Sequence, residues 1–108
     1  MLKLFLLCLF LAPWEIAYQL ERGVDYGGEN IGGCGSYKTR EDLEAACTAD
    51  STCIGYSTYS GANTAAVADT WGHYPWCLKK TKDREKRRGD HNYYRKHVIK
   101  GSVISWEV

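Results

Sequence analysis

Long apolar runs are scarce in this chain of 108 residues. Beyond the first dozen positions, no stretch approaches the roughly 20 apolar residues that a helix needs to cross a bilayer, so the sequence predicts no membrane span. Cys-x-x-Cys pairs are missing, which removes the knuckle spacing of a structural zinc site. No Asn-x-Ser/Thr acceptor occurs, so no N-glycan is expected. The strand-turn-helix serine elbow, the phosphate-cradling glycine loop and the His-Glu-x-x-His signature are absent as well. With no cofactor motif either, the reading is a non-enzymatic protein. His73, His91 and His97 are read as surface residues, because no Asp/Glu pair nearby in the sequence completes a catalytic or metal site. There is no internal repeat.

The one apolar run that does occur is "LFLLCLFLA" after Lys3. It is too short to span a membrane and has the flanks of a secretory leader. Residues 1–17 are therefore read as a signal peptide and 18–108 as one domain of a secreted, extracellular protein. Ala17 suits the position before the cut, while Glu15 departs from the small-residue rule. About 90 residues then remain, a size whose small core often needs covalent help. Cys34, Cys47, Cys53 and Cys77 form an even set for disulfides in an oxidising compartment. Four cysteines allow three pairings, among which the residues alone do not choose.

Net charge is only +1, yet it conceals a separation. Between Glu15 and Leu78 there are nine acids and three bases; between Lys79 and Val108 there are ten bases and four acids. Such a two-ended charge distribution can steer an anionic partner to one face.

Residues 18–35 are rich in glycine and turn signals, reading as a short strand and then a loop. A helix is expected over "TREDLEAACTAD", where Thr39 can cap toward Asp42 and Leu43, Ala46 and Cys47 share one face. "CIGYSTY" has the two-residue period of a strand. Residues 60–73 lack a period and read as a long surface loop. Strands are expected at "YPWCLKK" and "NYYRKH", joined as a hairpin through the basic run with Gly89 as its turn residue, and a last edge strand is expected through Ile104, Trp106 and Val108.

In order and spacing, "CTADSTCIGYSTY", then "WCLKK", then an aromatic strand resembles the PAN/apple family over roughly Val24 to His97. The resemblance implies an α+β fold, a small disulfide-stabilised twisted antiparallel sheet cradling one helix. It also implies a Cys47–Cys53 bridge from helix to strand. The partner that family members supply to the later cysteine falls here on Leu43, so the implied partner of Cys77 is Cys34. The implied function is recognition of a protein or carbohydrate.

The surface expected to do so is the stretch "KKTKDREKRRGDHNYYRKH". Lys79, Lys80, Lys82, Arg84, Lys86, Arg87 and Arg88, extended by Arg95 and Lys96, suit a sulfated glycosaminoglycan or similar polyanion bound through many salt-screened contacts. Asp83 and Glu85 dilute that charge, and a solvated hairpin that discourages edge pairing is the plainer reading. Arg88, Gly89 and Asp90 spell the triplet that integrin-like receptors read, although Gly-Asp is also ordinary turn chemistry. Tyr93 and Tyr94 are adjacent, so one is expected to face in and one out. With Trp71, Tyr74, Trp76 and Trp106, the outward tyrosine offers flat rings for a sugar or peptide. Nucleic acid is not expected for a secreted chain. Two competing readings are a self-associating extracellular-matrix protein and a venom or defence polypeptide; the second lacks an apolar helical face beside its basic run.

Overall fold

The computed structural model describes residues 14–70 and 76–100. The apolar run of the expected leader, the C-terminal strand, and His73, Trp71, Tyr74 and Trp106 lie outside the described residues. Among the described residues the elements in order are β1 (Trp14–Tyr26), β2 (Asn30–Ile31), α1 (Arg40–Ala49), β3 (Gly55–Tyr59), a 3-10 turn (Ala65–Val67), β4 (Cys77–Lys79) and β5 (Glu85–Lys100). Five strands make one antiparallel sheet ordered β1-β5-β3-β4-β2, so the chain is α+β. The expected leader 1–17 overlaps the first four residues of β1, which pair with His97–Lys100 of β5.

Helix α1 starts where Thr39 leaves extended backbone and its hydroxyl accepts the amide of Asp42 at 3.1 Å. Leu43 and Cys47 are buried against the sheet, joining Cys53, Tyr56, Trp76, Leu78 and Tyr94 in the main core. Disulfides join Cys47 to Cys53 and Cys34 to Cys77, the pairs expected above. The first ties the helix to the entry of β3; the second ties the loop before the helix to β4. At the helix C-terminus, Lys96 of β5 donates to the carbonyls of Cys47 (2.7 Å) and Asp50 (3.1 Å), placing a cation on the negative end of the helix dipole.

The expected hairpin does not form. Strand β3 lies between β4 and β5, so those two run parallel to each other and never pair. The basic run instead continues a ribbon with the other end of the chain. Asn30 and Ile31 pair with Lys79 and Leu78, Lys80 donates to the Glu29 carbonyl at 2.8 Å, Asp83 donates to that of Gly27 at 3.0 Å, and Tyr26, Asp25 and Val24 pair with Glu85, Lys86 and Arg87. Gly89 is not a turn residue. It lies inside β5, in a bulge where Arg88–His91 stand opposite the single residue Gly23, whose φ is 67°.

The stretch 60–70 is more than surface loop. Ala68 is fully buried, and the Asp69 carboxylate accepts from Thr58 (3.0 Å), Asn92 (3.3 Å) and the Tyr94 hydroxyl.

Candidate functional site

A run of exposed cations lies along the ribbon. Lys80 and Arg84–Arg88 are exposed and Lys82 is half-buried, its ammonium 4.6 Å from the centre of the Tyr26 ring. Strand alternation divides them: Arg84 and Lys86 border an open groove with Gly27 and Asp83, while Arg87 borders a second with Arg22, Glu85 and Arg95. Arg87 bonds Glu85 at 3.0 Å. Lys80, Arg84, Lys86 and Arg88 have no carboxylate within ion-pair distance among the described residues. One edge of the ribbon backbone is hydrogen-bonded to β1 and to residues 27–29, so these side chains project from a fixed track.

Several residues expected on this surface are structural instead. Tyr93 (0 % exposed) and Tyr94 (7 %) are both buried, and neither faces out. They do point to opposite faces of the sheet, as strand alternation requires, but both faces are covered. Tyr94 stacks on Tyr56 under α1, with ring centres 4.8 Å apart, whereas Tyr93 packs edge-on against Tyr26 beside Val24. Burial pushes the Tyr93 phenol up to about 12. It does the same for Tyr26, also about 12, aided by that hydroxyl's 2.5 Å donation to Glu21. Arg95 is held by Glu21 at 2.7 Å, and Lys96 caps the helix. Burial opposes ionisation of Glu21, yet the bonds from Arg95 and Tyr26 outweigh it and hold the carboxyl below its ordinary range. Lys79 is buried, at 7 % exposure.

The Arg88-Gly89-Asp90 triplet is not displayed at a tip either. Its aspartate is partly buried and bonded to the neighbouring imidazole, Asp90 Oδ1 to His91 Nδ1 at 2.8 Å. The other ring nitrogen of His91 lies 3.7 Å from Asp25. A histidine between two carboxylates was missed in the sequence because Asp25 reaches it only through the pairing of β1 with β5. Adjacency of Asp90 and His91 was the one local signal.

Among the described residues, no cluster of histidine, cysteine and carboxylates is arranged to hold a metal ion, and no helix is long and apolar enough to cross a membrane. No protein-family model, no curated protein and no solved structure matches this chain.

Proposed function

We propose that the protein is a secreted, non-enzymatic binding module of PAN/apple-like construction. It holds an acidic partner, a sulfated glycosaminoglycan or an acidic protein surface, along the basic ribbon. The observation that carries this reading is the set of exposed cations Lys80, Arg84 and Lys86, fixed on a hydrogen-bonded track and unanswered by nearby carboxylates. Cations without internal partners exchange only water and counterions for a ligand's charges, and a rigid backbone reduces the ordering cost of binding. Two disulfides suit an extracellular setting. The integrin reading of Arg88-Gly89-Asp90 is weakened, since the Asp90 carboxylate is already engaged by His91.

Heparin chromatography tests the proposal. The variant K80Q/R84Q/K86Q is expected to elute at clearly lower salt than the wild type, with retention of both falling as ionic strength rises. Equal elution of the two proteins removes the ribbon as the polyanion surface.

A further inference from the structure

Asp83 through Gly89 are all exposed, and the Arg87 side chain keeps 81 % of its surface open to solvent. Strand β1 holds one edge of this stretch, with Val24–Tyr26 paired to Glu85–Arg87. The other edge carries no strand there, because β3 pairs only with His91–Arg95. Among the described residues, the first backbone bond on that edge goes to Asp90, whose carbonyl accepts from Ser60 at 3.4 Å. The ladder with β1 also breaks after Arg87, where the bulge Arg88–His91 stands opposite Gly23. The Arg87–Arg88 peptide bond therefore lies where an extended, solvent-facing chain leaves its strand partner. Since the side chains of the run are exposed, lifting it from β1 uncovers little apolar surface, and such segments open locally at low cost.

Adjacent bases occur elsewhere in the described residues, but they are closed. Lys79–Lys80 has a buried member, Arg95 is held by Glu21, and Lys96 is held by the carbonyls that end α1. Lys86, Arg87 and Arg88 are exposed throughout. Endoproteases that read paired bases bind the substrate as an extended strand and take alternate side chains into acidic pockets on opposite sides of the cleft. Strand alternation already sorts the run in that way, with Arg87 on one side and Lys86 and Arg84 on the other. The ion pair of Arg87 with Glu85, 3.0 Å long, is solvent-exposed and contributes little, so an acidic pocket displaces it at small cost.

We propose that the Arg87–Arg88 bond is a processing site for a serine endoprotease with acidic pockets for arginine at the cut and for bases one and three positions before it. Water adds across the amide: the carbonyl carbon of Arg87 gains the oxygen and becomes a carboxylate, and the nitrogen of Arg88 leaves as an α-ammonium group. Both disulfides precede the cut, so no covalent bond then ties the chain from Arg88 onward to the rest. Pairing of β5 with β1 and β3, and the buried Asn92, Tyr93 and Tyr94, hold the two pieces as one folded body. Where the chain would meet such an enzyme rests on the secreted reading; the susceptibility of the bond does not, and heparin elution tests polyanion binding separately.

The test is incubation of the folded, oxidised full chain with a purified subtilisin-type endoprotease specific for paired bases, followed by intact-mass measurement without reduction. The first cut is expected between Arg87 and Arg88, giving two masses after denaturation, while gel filtration before denaturation gives one peak at the position of the uncut protein. R87Q is expected to slow the cut at least tenfold, and R84Q and K86Q to slow it severalfold each. All three positions are exposed, so the near-ultraviolet dichroism of the variants should match the wild type. No cut of the wild type at Arg87–Arg88, a first cut elsewhere, or an R87Q rate equal to that of the wild type overturns the site. Pieces that part on gel filtration overturn the claim that the sheet holds them together.

Discussion

Tyr56 shows how single polar atoms organise this small core. Its ring is fully buried, yet its hydroxyl donates to Glu44 at 2.6 Å and accepts from Arg40 at 2.8 Å, joining the helix surface to the middle strand. Arg40 also bonds Glu44 at 3.0 Å and lies 5.0 Å from the centre of the Tyr94 ring, so the guanidinium meets three of these side chains in one place. Tyr56→Phe keeps the volume and removes only the oxygen between two polar partners. It is expected to cost about 1–2 kcal/mol, a melting point lower by about 5–10 °C, and a calorimetric change near zero would show that the network adds nothing. The residues of this network were hard to foresee. Strand alternation was legible around Tyr56, but it did not say which side faces the helix, and nothing local linked that tyrosine to Glu44 and Arg40. Lys96 likewise looked like one more cation of a binding patch, because nothing local shows that α1 ends within its reach.

At the scale of elements, what was legible in the sequence was local. The Thr39 cap, the Leu43/Cys47 face and the period of β3 all follow from short-range chemistry, and each is present. The β4–β5 connection was misread because a charged segment between two apolar ones looks the same whether its flanks pair or are parted by a third strand. Here β3 takes the place between them, since its residues are buried on both sides and a central strand suits them. Gly55 opens β3 for a related reason: a Cβ there would run into the Tyr93 hydroxyl and the Tyr94 carbonyl. Gly55→Ala is accordingly expected to destabilise by about 1–3 kcal/mol, read from the urea midpoint, and an unchanged midpoint would mean Tyr93 lies elsewhere. The Cys34–Cys77 bridge spans 43 residues and holds β4 against the loop before α1. By loop entropy its removal in C34S/C77S costs about 4 kcal/mol, against about 2.4 kcal/mol for Cys47–Cys53. Denaturation of the two double variants side by side should rank them in that order.

The whole molecule contains an unusual share of protected phenols. Burial raises Tyr26 and Tyr93 to about 12 and moves Tyr18, Tyr56 and Tyr94 upward as well, from an ordinary 10.0. The fold thus favours the neutral phenol. That contribution is fully present below pH 10, where unfolded tyrosine is also neutral, and is lost as pH climbs from 10 through the folded values. Stability should therefore fall steeply above pH 10, with phenolate absorbance appearing in step with loss of the near-ultraviolet dichroism. A single phenolate transition near 10 in a protein that keeps its tertiary spectrum would contradict the burial of these rings.

The pairing of Trp14–Arg22 with Asn92–Lys100 joins the two ends of the described chain and leaves β1 without a nearby partner. Contacts this remote in sequence close slowly, after most of the chain has already been searched. During synthesis β1 must wait, its edge unsatisfied, until β5 has been made some seventy residues later. A nascent chain of this kind is exposed to mispairing with its neighbours for the whole of that interval, and assistance is most valuable to it until β5 arrives.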